Sequence, residues 1–222
     1  MNFNILKCFF LMGFVVLNVQ ISWAQTYLEE VGGRPIRIGQ YVDVHGSPYL
    51  QDDWAKGTVQ FANGKAYDGL DLKYDMVADM LLFKDDKGQT LEFVQPVAKF
   101  TVETADGVKT FQNGFPGEGT ATDKSYYQVL ANGKATLLKR GAKVVREAKQ
   151  YNSATIEKNI MDIGAYYINK DVALHKIKNN EKAVLAELSD QAPALKEFIK
   201  ANKLNLKEEE DLVKLVNYYN SL

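Results

Sequence analysis

The sequence predicts an α+β protein, mainly an antiparallel β sheet or partial barrel followed by a small C-terminal helical part. Three observations carry that class. Turn dipeptides recur at short intervals between Tyr41 and Glu147, at Asn63-Gly64, Asp68-Gly69, Lys87-Gly88, Asp106-Gly107, Asn113-Gly114 and Asn132-Gly133. Such pairs supply the positive φ angles of tight hairpin turns. The runs between them alternate apolar and polar residues, the two-residue period of a strand with one buried and one wet face. Past Tyr151 the apolar spacing becomes three and four, the period of an amphipathic helix. The sequence therefore divides into 1–24, 25–150 as the antiparallel β domain, and 151–222 as a hairpin plus C-terminal amphipathic helices packed on it.

Residues 1–24 read as an export signal peptide. Lys7 gives a basic start, Cys8 to Ile21 is an apolar run, and Ser22-Trp23-Ala24 places small residues at the minus-three and minus-one positions of a cleavage site. A bilayer span needs roughly 20 apolar residues, and this run is shorter and carries Asn18 and Gln20. The expected mature chain starts at Gln25, has no transmembrane segment, and is periplasmic or secreted. Cys8 is the one cysteine of the 222 residues and falls in the signal, so the mature chain carries no disulfide. No Asn-X-Ser/Thr acceptor occurs either, and both absences point to a bacterial rather than a eukaryotic secreted protein. There are 27 Lys and Arg against 28 Asp and Glu; losing Lys7 leaves a slightly acidic chain, which argues against a nucleic-acid partner.

In the β region Val59 and Phe61 oppose Thr58 and Gln60, and Leu70, Leu72 and Tyr74 oppose Asp71, Lys73 and Asp75. Phe100 and Val102 alternate with Lys99, Thr101 and Glu103, and Tyr127 pairs with Val129 in the same way. The pentapeptide Ala-Asn-Gly-Lys-Ala occurs at 62–66 and at 131–135, which reads as shared turn chemistry rather than duplication. Further on, Ala165 to Ile168 and Leu174 to Ile177 flank Asn169-Lys170-Asp171 as a hairpin. The helical stretches carry Val184, Leu185 and Leu188; Leu195, Phe198 and Ile199; and Leu212, Leu215, Val216 and Tyr219. Asp190 before Pro193, and Asn205 three residues before Glu208, supply start signals. Segments this short are marginal as isolated helices, so their apolar faces must be docked.

The search for chemistry is mainly negative. No nucleophile elbow, phosphate-binding glycine loop, zinc-protease motif or other cofactor pattern occurs. His45 and His175 are isolated and read as surface or structural residues. Asp68, Asp71, Asp75 and Asp79 cluster in sequence, as do Asp85, Asp86 and Glu92, yet neither group has the alternation of a calcium loop. Asp68 and Asp85-Asp86 read as turn formers, and Asp71 and Asp75 as the solvated face of a strand. A paired-carboxylate glycosidase remains open, because its two acids need only the right separation in space. Tyr49, Asp52, Asp53 and Trp54 form a turn-rich aromatic and acidic segment, a candidate binding surface, although a Trp at a strand entrance is more often a core plug, the expected place of Trp54. Each of Tyr126-Tyr127, Tyr166-Tyr167 and Tyr218-Tyr219 is expected to turn one ring inward and one to water.

The phrase Gly46-Ser47-Pro48-Tyr49-Leu50-Gln51-Asp52-Asp53-Trp54, with Gly57-Thr58-Val59, Gly64-Lys65-Ala66-Tyr67, Leu72-Lys73-Tyr74-Asp75 and the closing Asp211 to Asn220, resembles a group of exported proteins of unknown function from Bacteroidota. The resemblance covers most of the mature chain. It implies an envelope address and an α+β fold, and it supplies no catalytic residues. Three functions follow in order: a non-enzymatic binding or interaction module for an envelope protein or glycan, a carrier of an apolar or acyl ligand in a curved sheet, and a carboxylate-based hydrolase. A large apolar cavity favours the carrier, and two acids facing across a cleft favour the hydrolase.

Overall fold

A computed structural model describes residues 31–36, 39–149 and 156–222; the expected signal peptide and cleavage site lie outside them. Two short strands come first, β1 (Gly33–Pro35) and β2 (Val44–His45). A meander follows of β3 (Ala55–Phe61), β4 (Ala66–Asp75), β5 (Met80–Lys84) and β6 (Thr90–Phe93). Next, β7 (Val97–Thr104) returns to the free side of β3, and β8 (Gly107–Gln112), β9 (Tyr127–Ala131), β10 (Ala135–Lys149), β11 (Ile156–Lys170) and β12 (Ala173–Ile177) extend the sheet one strand at a time. The order is β1-β6-β5-β4-β3-β7-β8-β9-β10-β11-β12, and the two end strands do not meet, so the sheet is open. Every pairing is antiparallel except the short contact of β2 with β11. Three helices end the chain: α1 (Glu181–Glu187), α2 (Ala192–Asn202) and α3 (Glu209–Ser221). The α+β class is correct.

Most of the predicted turns sit where their chemistry puts them. Gly64 takes φ 86° between β3 and β4, Gly107 takes φ 108° after β7, and the Asp85 carboxylate accepts from the Lys87 and Gln89 amides before β6. Asp68-Gly69 is different. Tyr67 pairs with Val59 and Leu70 with Gly57, so the dipeptide is a bulge inside β4, with Gly69 at φ 71° and the Asp68 carboxylate accepting from Thr58 Oγ1 at 2.5 Å. The repeated pentapeptide spans two hairpin turns of different shape. Gly64 has positive φ and Gly133 does not, because Asn220 of α3 holds the second turn through both the amide and the carbonyl of Ala135, each at 2.9 Å. Gly57 marks a close approach, since a Cβ there would lie 2.0 Å from the Thr101 carbonyl oxygen.

The strands bury two main cores and a smaller cluster of Ala121, Tyr127, Leu138 and Tyr167. The first lies on one face of β3 to β8, where Val59, Phe61, Leu72, Tyr74, Phe83, Phe100 and Phe111 are all 3 % exposed or less. Aromatic rings fill it: Phe100 stacks on Phe111 with centroids 4.8 Å apart, and Tyr126 meets Phe100 edge-on at 4.9 Å. The second core joins Leu137 of β10 and Ile168 of β11 to Val184, Leu188, Leu195, Leu212, Leu215 and Val216 of the helical cap. All of these are fully buried.

Three expectations need correction. The expected hairpin of Ala165–Ile168 with Leu174–Ile177 is present in β11 and β12, but strand structure begins well before it, at Ile156, and the change to helix comes only at Asn180, whose side chain caps α1 by accepting from the Ala183 amide. The outer part of β11 shows no clean alternation, with apolar Met161 and Ile163 about half exposed, so there pairing with β10 rather than a buried face makes it a strand, whereas Tyr167 and Ile168 at its inner end are buried. Next, one wet face does not hold for β9 to β11. The adjacent Leu137 and Leu138 are both fully buried, with helices on one side and segment 113–126 on the other. The tyrosine pairs accordingly bury both rings in the first case, Tyr126 in the aromatic core and Tyr127 against Tyr167. Tyr218, partly buried, stacks on Phe198 at 4.0 Å. Finally, Asp75 is not solvated: it is 1 % exposed.

The cap is tied down by ions at its edge. Lys170 donates to Asp190 at 2.6 Å and the Tyr219 hydroxyl to the other Asp190 oxygen at 2.9 Å. The Lys170 ammonium holds the Asp190 carboxyl below the usual carboxylate range, against the opposite pull of burial. A depressed folded-state value means that this stabilisation is present above the ordinary carboxylate pKa, about 4, and is lost as pH falls below it. Urea melts of wild type and Asp190→Asn should therefore differ at pH 6, and the difference should shrink as pH is lowered below about 4. A gap that does not shrink would contradict this.

Candidate functional site

A cleft of about 990 Å³ lies on the face of β4, β5 and β6 opposite the aromatic core. Its floor follows from strand register. Lys73 pairs with Leu82 and Leu82 with Glu92, while Arg34 of β1 pairs with Glu92, so these four residues make one cross-strand row. Asp75 and Met80 make the next row. The wall is the N-terminal segment, with Gln40, Tyr41, Pro48 and Tyr49.

Asp75 fixes that wall. Its Oδ2 accepts from the Tyr41 hydroxyl at 2.7 Å and from Gln40 Nε2 at 3.1 Å, and its Oδ1 accepts from the Val77 and Ala78 amides at 2.9 and 2.8 Å. Four donors compensate a buried carboxylate that would otherwise be strongly destabilising. Backbone bonds from Leu50 to Tyr74 and from Met76 to Pro48, 2.9 and 2.8 Å, continue the junction. Lys143 of β10 completes it, with Nζ on the carbonyls of Ser47 and Tyr49 at 2.9 and 2.7 Å. Burial, then the Asp75 charge, pushes the Tyr49 phenol up; burial, then the hydrogen bond to Asp75, raises Tyr41 further. Both hydroxyls remain protonated donors at neutral pH.

Of the four residues singled out in the sequence, Tyr49 and Trp54 line the cleft, whereas Asp52 and Asp53 are exposed on the loop outside it. Trp54 is half-buried rather than a core plug. The Lys73 ammonium stands 5.3 Å and the Lys84 ammonium 4.9 Å from its ring centroid, and Lys73 also lies 4.7 Å from the ring of Tyr49. Cations over aromatic faces are favourable, so the indole is braced in place. Asp52 takes part indirectly: its carbonyl accepts from Lys73 Nζ, and its carboxylate accepts from Ser47 Oγ.

Asp75 and Lys143 escaped the sequence reading. The Asp75 signal was the local one: an aspartate at a strand end, able to bond amides two and three residues on, forms an Asx-type turn. Nothing local marks Lys143, whose partners are 94 and 96 positions away.

The two cleft acids are both committed to protein partners, Asp75 as above and Glu92 to the Arg34 guanidinium, so neither is placed as a free general acid or base. The opposite, apolar face of the sheet is filled by its own aromatic rings. Among the described residues no group of three His, Asp or Glu is positioned to hold a metal ion, and no helix is long and apolar enough to cross a membrane. His45 and His175 are exposed. No protein-family model matches the chain, and comparison with curated proteins and with solved structures returns no match.

Proposed function

We propose that the protein is a non-enzymatic binding module exported to the bacterial envelope, and that its ligand surface is the cleft at Tyr49 and Trp54. The observation that carries this is the cleft itself. Its volume falls within the several-hundred to about 1,000 Å³ range of ligand sites, it combines two aromatic rings with charged and amide groups, and its wall is pinned by Asp75 and Lys143 rather than left loose. Preorganisation of that kind favours binding, since less order has to be imposed when a ligand arrives. The polar lining fits a hydroxyl-rich ligand, an envelope glycan, better than an acyl chain. The commitment of Asp75 and Glu92 to other partners argues against hydrolysis, and the filled apolar face argues against a carrier. The export signal in the sequence, and the resemblance to exported proteins of Bacteroidota, support the address.

Two measurements test the reading. Intact mass of the exported protein should correspond to a chain starting at Gln25; a membrane species retaining residues 1–24 overturns the address. In that processed chain Trp54 is the only tryptophan, so its fluorescence reports on the cleft alone. Titration with chitotetraose should shift it, and Lys73→Ala should weaken the response roughly tenfold, the loss of one or two charged hydrogen bonds. A response to oleate and not to the saccharide favours the carrier, chain shortening of the saccharide favours the hydrolase, and no response to either removes the cleft as the site.

A further inference from the structure

A second concavity, about 200 Å³, opens on the face of β10, β11 and β12 away from the helices, beneath segment 113–126. The strand register brings its groups together. Arg140 pairs with Ala165, Ala142 with Ile163, and Tyr167 with Lys176, so all six residues stand on one face. Glu118, from the covering segment, forms the opposite wall.

Its polar groups are unusually uncommitted. Glu118 Oε2 is buried and has no hydrogen-bond partner among the described residues, and neither has the buried hydroxyl of Tyr127, whose ring packs edge-on against Tyr167 at 5.3 Å. Arg140, mostly buried, has one loose ion pair, 3.6 Å from Asp79, which leaves most of its guanidinium fork free. A buried carboxylate oxygen with no donor is disfavoured, so the site is built to receive something that supplies one. Burial pushes the Tyr127 and Tyr167 phenols up, which keeps both as donors. The lining is therefore donor-rich, with Arg140, Lys176 and the Tyr167 phenol around a single carboxylate, Glu118, and the Tyr127 hydroxyl buried behind Tyr167. A ligand matching it carries a carboxylate for the cations and a neighbouring donor for Glu118.

We propose that this concavity is a second binding site, separate from the Trp54 cleft, for a small α-hydroxy- or α-amino-carboxylate. The carboxylate lies against Arg140 and Lys176, and the adjacent hydroxyl or ammonium donates to Glu118 Oε2. The hydrophobic wall of Ala142 and Ile163 limits the ligand to a short side chain.

Methyl NMR of the full chain, titrated with lactate, glycine and acetate, tests it. Lactate or glycine should move the Ile163 methyl resonances saturably in the millimolar range while leaving Ile177, in the other core, unmoved. Acetate, which lacks the donor, should bind at least tenfold more weakly. Glu118→Gln, which removes the charge and leaves one neutral acceptor oxygen for the ligand's donor, should cut affinity about tenfold without lowering the melting temperature, and Lys176→Ala should weaken all three solutes. Equal binding of acetate, shifts at Ile177 alone, unchanged affinity in Glu118→Gln, or no shift with any solute up to about 100 mM would each overturn the proposal; the last result would mean that water alone satisfies these groups.

Discussion

Leu215→Ala should destabilise the whole protein by about 2 to 5 kcal/mol, the usual range for deleting a buried leucine side chain. Leu215 is fully buried in the apolar cluster that also holds Leu137 and Ile168 of the sheet and Leu195 of α2. A cavity there loosens sheet and cap together. For a chain of this size each kcal/mol moves the melting temperature by about 2 to 4 °C, so the midpoint should drop by roughly 4 to 20 °C in one transition. Its neighbour gives the control. Lys214 is more than half exposed and pairs with Asp211 three residues back at 2.8 Å, and an exposed pair of that kind contributes at most about 1 kcal/mol. Lys214→Ala should therefore be close to silent. If α3 were instead a detachable arm, Leu215→Ala would leave the main transition unmoved and protease would remove the tail first. The paired hydrogen bonds of Asn220 to Ala135 argue for the docked outcome.

The second large effect is expected at Asp75. Asp75→Ala removes the acceptor of four hydrogen bonds and leaves the Tyr41 hydroxyl, Gln40 and two backbone amides without their partner; the cost should be about 3 to 5 kcal/mol, as for other broken buried charged networks. Asp71→Asn, four residues earlier on the same strand face, should stay within about 0.5 kcal/mol, since Asp71 is 43 % exposed and only bridges Lys56 on the surface at 2.9 Å. Tyr41→Phe should cost about 1 kcal/mol, one hydrogen bond. Urea unfolding of the three variants measures the ordering. Equal, small effects at Asp75 and Asp71 would mean that the wall of the cleft is not held by this carboxylate. Because Asp75 also positions that wall, Asp75→Ala should weaken any ligand that shifts Trp54 fluorescence.

The contrast between Asp71 and Asp75 shows how far local pattern reaches. Both fall on the polar side of the same alternation; the one local difference is that Asp75 ends its strand and bonds the Val77 and Ala78 amides, which marks a turn but not burial. What buries one of them is the segment 39–50 laid across its end of the strand, and that contact spans 34 and 35 positions. Tyr126 and Tyr127 make the same point: alternation assigns them to opposite faces, which is correct, but whether the second face is wet depends on segment 113–126 folding over it. Trp54 belongs with these cases, because its place at the cleft is set by Lys73 and Lys84 reaching its ring from β4 and β5.

The sequence by itself determined the α+β class, the hairpin turns at Asn63-Gly64, Lys87-Gly88, Asp106-Gly107 and Asn132-Gly133, and the docked faces of the three helices. Each of these depends on residues within about one turn or one strand of each other, where φ preference and side-chain period act directly. Only the tertiary structure decided that β11 reaches back from the expected Ala165 arm to Ile156, that the sheet stays open with buried clusters on both of its faces, that Asp68-Gly69 is a bulge, and that Asp75, Lys143 and Trp54 meet at one cleft. Those features arise from pairing and covering between segments far apart in the chain, and the free energy that selects them is the burial of one element by another, which no local period records.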